Sequence, residues 1–411
     1  MSEYLSAKYN NGKLDNTVID ITHQDIYDLY DMNIKDKKEC DEVTQSSYRN
    51  ENYYNQYGDD NWRLAFYKEV LYRDPKTSGF VMQYPHGTII TQAERNHYYR
   101  GENKLYPASI PSLTRKLKQF NSIEEKEIYR IVADMRIGEF GLFLYSFNHV
   151  QNWAKKYGTV LFDALAQHYG LETNWLDITN DFNVALFFAT CFFDHGEKRW
   201  KPLTKNETEE NENTKYGMIF HCPQWQINMR NTTSTLIDSE NNEEEILNNN
   251  VLPIGFQPFM RCHMQYGYGI KMDKEYPLQQ DIYFEKLRFR HDEKLSKNVY
   301  DMMDQGRLIY PHEGLSSFED IIDQIRTTTV FSNEAFNYAF DKNDYFKDKD
   351  YCRKMIESTM IIGKQIHVGN QLHPIKISRQ RRRRLDREYA EFSIEESYGI
   401  KLSTRYTAFP K

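Results

Sequence analysis

Side chains that could do chemistry gather in three places along this chain. The first is Arg100-Gly101-Glu102, at the end of an alternating stretch, NHYYRGE, that reads as a strand. A guanidinium there could clamp a phosphate through paired hydrogen bonds, and the glycine beside it would let a ligand approach the backbone. The second is QHYGLETNWLDIT, residues 167–179, which crowds His168, Tyr169, Gly170, Thr173, Asp177 and Thr179 into a turn-and-strand segment. His168 could act as a base, and Asp177 as a general base or a binding carboxylate. The third is PFMRCHMQYGYG, with Arg261, Gln265, Gly267 and Gly269. Alternation of Met260, Cys262 and Met264 predicts a strand with Arg261, His263 and Gln265 on its other face.

Each cluster also has a packing alternative. Arg100 could be a surface turn residue paired with Glu102, and a lone histidine is more often a satisfied turn residue than a base. Asp177 could cap a helix or pair with an arginine, and the Arg261–Gln265 segment could be a solvated edge strand. What favours function is the combination, because each cluster sets polar groups at or near a glycine. Converging, they would form a cleft for an anionic, hydroxyl-rich ligand.

The elements that must position these residues are legible from periodicity. From Phe182 to Phe193 nearly every position is apolar, which predicts a buried helix with Asn180 or Asp181 as its N-cap. Its N-terminus brings unpaired N–H groups and positive partial charge to the polar turn before it. Ser122 and Glu125 form a capping-box pattern ahead of a long amphipathic stretch, Ile123 to Ala166, read as two or three helices broken near Gly138, Gly141 and Gly158. GMIFHC reads as a strand, GEKRWKPLTKNETEENENTKYG as a solvated acidic loop, and Lys294 to Gln305 as a helix. Near the N-terminus a helix is expected around Asn61 to Tyr72, and a mobile connection from Asp36 to Asp60.

Bulk composition narrows the function classes. With 411 residues, 39% hydrophobic and 15% aromatic, the chain has ample core material. A net charge of −7 gives no general case for nucleic acid or membrane binding, so only local patches could supply it. Five scattered cysteines, with no metal-ligand spacing, fit a reducing interior. No apolar run approaches the ~18 residues of a membrane span, and the first residues lack a signal-peptide core, so a soluble cytoplasmic protein is expected, with no membrane partner and no metal. Phosphate loops, His-x-x-x-His pairs and nucleophile elbows are missing from the sequence.

The succession YYRGE, PSLTR, QHYGLETNWLDITNDFNVALFFA, PFMRCHMQYG and RLIYPHEGL resembles the FRG domain, named for a Phe/Tyr-Arg-Gly motif near its start. The resemblance runs from about Tyr84 to Ile325 and departs at Trp175 and at Glu102, where the family often has Gln. It implies a bacterial or phage-related setting. A looser resemblance is to the Arg-Ser-Glu class of ADP-ribosyltransferases, in which a first-strand arginine holds the NAD phosphates, a Ser/Thr-rich strand leads into an apolar helix, and a later strand supplies a catalytic glutamate. Arg100-Gly101 fits the first element and Thr173 to Thr179 the second, while Gln265 stands where the glutamate would be. That resemblance implies NAD as ligand, and either transfer of ADP-ribose or cleavage of NAD. Arg100, Gly101, Thr173, Thr179, His168 and Arg261 would form the binding set, and Asp177, Gln265 and Glu102 the catalytic set.

The expected fold is α+β: a bent or split, mainly antiparallel sheet with a helical layer, flanked by extensions at both ends. Residues 1–75 would be an N-terminal polar and helical extension, 76–335 the FRG domain, and 336–411 a C-terminal extension. The other class of function is a non-catalytic sensor or protein-interaction module, possible in phage defence, with a protein or nucleic acid as target. Within the C-terminal extension, Arg379 to Arg387 reads as a charged helix whose arginines could contact phosphates.

Overall fold

The computed structural model describes residues 16–48, 80–84, 87–91, 97–157, 160–227, 229–230, 251–254, 257–272, 276–360, 363–369 and 375–389. Expectations for Asn61 to Tyr72 and for Gly158 lie outside these residues.

A sheet of seven strands organises the fold. In chain order they are β1 (Val18–Asp20), β2 (His97–Glu102), β3 (Trp175–Thr179), β4 (Tyr216–Pro223), β5 (Val251–Pro253), β6 (Gly267–Lys271) and β7 (Glu285–Arg290). Across the sheet the order is β1-β7-β4-β2-β3-β6-β5. Every pairing is antiparallel except β1 on β7. The sheet is therefore mixed but mainly antiparallel, and it is split. β2 pairs with β4 along its whole length, His97↔Pro223 to Glu102↔Met218, yet touches β3 in register only at Tyr99↔Thr179.

Period-2 alternation distributes the apolar side chains over two faces. Tyr99, Ile219, Leu287 and Phe289 meet the apolar helix, whereas Tyr98, Phe220, Ile178, Ile270 and Phe284 make a second core on the opposite side. Among the helices, in chain order, are α1 (His23–Tyr48), α2 (Ser112–Leu117), α3 (Ile123–Tyr145), α4 (Asn148–Tyr157), α5 (Phe162–His168), α6 (Phe182–Thr190), α7 (Arg261–Met264), α8 (Glu293–Met302), α9 (Glu319–Thr327), α10 (Asn333–Asp341) and α11 (Arg379–Glu388). All of α6 is buried except Phe188, which is half-buried. Its N-cap is Asp181, whose Oδ1 accepts from the Asn183 N–H at 2.9 Å. The capping box of Ser122 and Glu125 is formed as expected.

Several local expectations need correction. Helix α3 runs unbroken through Gly138 and Gly141 and stops at Ser146; Gly138 serves close packing, since a Cβ there would sit 2.9 Å from the Cα of Ala335 in α10. The buried helix ends at Thr190, three residues short of Phe193, and Cys191–Asp194 forms a hairpin with Arg199–Pro202, which lies in the stretch read as an acidic loop together with short helical turns capped by Thr204 and Asn211. The connection expected from Asp36 is instead helical as far as Tyr48, as part of α1. Arg261 to Gln265 is not a strand. Met264 and Gln265 donate to the carbonyls of Met260 and Arg261, so the segment is one helical turn, and Tyr266, at φ 48°, redirects the chain into β6. Apolar spacing of two over five residues fits a strand or a short helix equally well, which is why alternation misled.

Candidate functional site

The split between β2 and β3 generates the site. Beyond Tyr99↔Thr179, a continued ladder would set Gly101 opposite Asp177; the strands diverge instead, and the Asp177 carbonyl on that side loses its strand partner. Arg100 satisfies it, with Nη1 donating to the Asp177 carbonyl at 2.8 Å. Its Nε donates to Glu102 Oε1 at 3.0 Å, and Ser109 Oγ donates to the other Glu102 oxygen at 2.7 Å. Glu102 is buried, 6% exposed, so it holds Arg100 from behind rather than facing solvent. Five donors on a guanidinium less these two leave three for a ligand.

Gly101 is fixed by packing. A Cβ on it would lie 1.7 Å from the carbonyl oxygen of Ala185, so only glycine lets α6 press against β2. This puts the α6 side chains Val184 and Phe188 into the wall of the cleft.

Asp177 is half-buried and faces the same space. Gln167 Nε2 reaches its Oδ2 at 3.4 Å, while the Gln167 carbonyl oxygen accepts from Thr173 Oγ1 at 2.5 Å. Thr173 is 1% exposed and in turn accepts from the Trp175 N–H, so it stands behind Asp177. Trp175 lies over Gly269, where a Cβ would come 2.4 Å from the indole.

On the third side, Gln265 Oε1 meets His168 Nδ1 at 2.8 Å and its Nε2 donates to the Ile309 carbonyl at 3.1 Å. Both ends of the Gln265 amide are therefore used within the protein. Thr179 Oγ1 donates to the Gln265 carbonyl at 2.8 Å and accepts from the Asp181 N–H at 3.1 Å, tying β3, the α6 N-cap and the turn after α7 together. Arg261 lies behind His168: its Nη1 donates to the His168 carbonyl at 3.0 Å, and its guanidinium sits 4.2 Å from the Tyr169 ring centroid and 5.1 Å from that of Tyr310. Burial depresses the His168 pKa, opposed by the charge of Asp177 and the bond to Gln265, and pushes the Tyr310 hydroxyl up to about 12.

A cleft of about 170 Å³ results, lined by Arg100, Gly101, His168, Asp177, Thr179 and Gln265 together with Tyr99, Ile178, Val184, Phe188 and Gly267. Six of the nine residues singled out in the sequence line it. Glu102, Thr173 and Arg261 stand one layer back and hold those in front. Sequence reasoning missed Gln167 and the Ile309 carbonyl, which orient the lining residues Asp177 and Gln265, Ser109, which holds Glu102 behind Arg100, and Asn33 of α1, whose Oδ1 accepts from the Phe182 N–H at 3.3 Å. Gln167 opens the dense polar segment and could have been found there; Asn33 carries no local signal.

The basic run forms α11, buried through Leu385. Arg381 pairs with both oxygens of Asp320 at 2.7 and 2.8 Å and covers the Phe318 ring. An open groove beside this helix is lined by Asn148, Arg379, Gln380, Arg383, Asp386 and Arg387. Among the described residues no helix is long and apolar enough to cross a membrane, and no group of three or more His, Cys, Asp or Glu side chains could hold a metal ion.

The stretch from β2 through α6 to the following hairpin, which supplies Arg100, His168 and Asp177, is also where the comparison with protein families finds a match: the FRG domain model covers residues 95–198. The chain carries an FRG domain. The matched span holds Arg100, Gly101, Glu102, His168, Thr173, Asp177 and Thr179, whereas Arg261 and Gln265 lie beyond it, so the FRG domain cleft is closed by residues outside the family model. No curated protein and no solved structure matches the chain.

Proposed function

We propose that the FRG domain cleft is an ADP-ribosyltransferase-like site that binds NAD or a related nucleotide. One observation carries the reading: where β2 and β3 part, Arg100, with three guanidinium N–H groups not used within the protein, and Asp177 line one cleft. A diphosphate accepts bidentate hydrogen bonds from the guanidinium, and a ribose offers hydroxyl donors to the carboxylate. The enclosed volume is below the ~300–1,000 Å³ typical of whole ligands, so it suits one part of a dinucleotide with the rest over the open mouth.

For ADP-ribosyl transfer or NAD cleavage the group that stabilises positive charge developing on the ribose is Asp177, since Gln265 cannot ionise. A second reading, a non-catalytic sensor or interaction module that binds the nucleotide without cleaving it, is favoured by Gln265 itself, whose amide oxygen and nitrogen are bonded to His168 and to the Ile309 carbonyl. Calorimetric titration with NAD and ADP-ribose, alongside chromatography of released nicotinamide, separates the readings. Binding to wild type that weakens at least tenfold in Asp177→Asn supports the site; nicotinamide release lost in that variant supports catalysis, and binding without release supports the sensor. Absence of binding by either nucleotide overturns the proposal.

A further inference from the structure

His168 is 7% exposed and lines the cleft, yet its Nε2 has no hydrogen-bond partner. The other ring nitrogen decides what Nε2 can do. Gln265 turns its carbonyl oxygen to His168 because its NH₂ is committed to the Ile309 carbonyl, so Nδ1 must carry the proton. Nε2 is then a bare lone pair, and burial opposes its protonation. Gly267 lies beside it: a Cβ there would stand 3.4 Å from Nε2, 3.1 Å from the Cys262 carbonyl oxygen and 3.0 Å from Ile254 Cδ1, so any larger residue would crowd this nitrogen.

A buried lone pair in a cleft calls for a hydrogen-bond donor, since leaving it unmet is costly. Phosphate and carboxylate oxygens are acceptors and would be repelled. His168 and Asp177 alone are too few to make a metal centre. The cleft thus combines donors from Arg100 with two acceptors, the Asp177 carboxylate close to Arg100 and His168 Nε2.

We propose that His168 is the acceptor for a ligand hydroxyl, so that the enclosed part of the cleft takes a ribosyl phosphate, its phosphate toward Arg100 and a sugar hydroxyl on Nε2. This rests on the reading that the cleft is a ligand site and adds which chemical group lies where. Gln265 is in this account a positioning residue, acting through the tautomer of His168.

The test compares ribose 5-phosphate with inorganic phosphate on the full chain by calorimetry. Wild type binds the sugar phosphate at least about tenfold more tightly; His168→Phe loses most of that preference, while Arg100→Lys weakens both ligands together. A His168→Phe protein that keeps the preference, or a wild type that shows none, overturns the proposal. Should the variant fold poorly, ¹⁵N-histidine spectroscopy of wild type decides: His168 is neutral with the proton on Nδ1, and its Nε2 resonance moves on adding ribose 5-phosphate. A proton on Nε2, or an unmoved resonance under saturating ligand, overturns it. Ribose 5-phosphate binding through His168 without any NAD or ADP-ribose binding would remove the dinucleotide reading and leave this one standing.

Discussion

Arg100 joins the two halves of the split sheet through its bond to the Asp177 carbonyl, and it is held within β2 by a charged pair in which Glu102 is the more deeply buried member. Removing the guanidinium strands that carboxylate, so Arg100→Ala is expected to cost about 3 kcal/mol in urea denaturation. Adding Glu102→Gln should restore much of the loss, and a double variant as unstable as the single one would show that the pair is not the cause. At the neighbouring position, Gly101→Ala forces a methyl into the Ala185 carbonyl and should destabilise by roughly 3 kcal/mol or more, read from the same experiment. A neutral outcome would contradict the packing of α6 on β2. The contrast shows what sequence conveys at this scale. Arg100, His168, Asp177 and Gln265 announce themselves by side-chain type, whereas their roles depend on what stands opposite. The packing role of Gly101 is hidden because Ala185, which it lets approach, is far away in the chain. For Gln265, nothing local reveals that the Ile309 carbonyl takes its amide nitrogen.

Among the elements, α6 was the most legible, since an apolar run on every face has only one place to go. Its cap was half legible: Asp181 is adjacent, but Asn33 of α1 completes it from the other end of the chain. Helix α11 illustrates the opposite case, because charge dominates its sequence while a few buried atoms fix its position. Tyr389, at its C-cap, stacks on His149 with ring centroids 4.1 Å apart and donates its hydroxyl to Glu313. Burial, assisted by the nearby charge of Glu388, raises the Glu313 pKa to about 8 against the donation from the Met260 N–H. The folded chain therefore holds this proton more tightly than the unfolded one, and the stability it confers is full at acid pH, falling as pH rises from about 4.3 toward about 8. Denaturation midpoints at pH 5 and pH 9 should differ less in Glu313→Gln than in wild type; an equal fall in both would exclude Glu313 as the group responsible. On the outer face, Arg379, Arg382, Arg383 and Arg384 have no ion-pair partner among the described residues, unlike Arg381. If that face contacts phosphates, single-stranded RNA and duplex DNA are retained at low salt and released steeply as salt rises. Replacing Arg382, Arg383 and Arg384 with Gln should then abolish retention, and unchanged retention would make the face a solvated surface.

At the scale of the whole molecule, the α+β class and the split, mainly antiparallel sheet follow from strand-like alternation around a buried helix and from the family resemblance. The order of the strands does not follow, since β1 pairs with β7 across most of the chain and no local pattern encodes a partner that distant. The same holds for the site: three clusters were visible in the sequence, but their convergence depends on β2 and β3 parting after a single registered pair. That convergence into one nucleotide-binding cleft is the central claim, and amide hydrogen exchange with and without saturating ADP-ribose tests it most directly. Protection is predicted at residues 97–102, 168–184 and 265–267 together. Protection confined to 379–388, or none anywhere in the three segments, would contradict it.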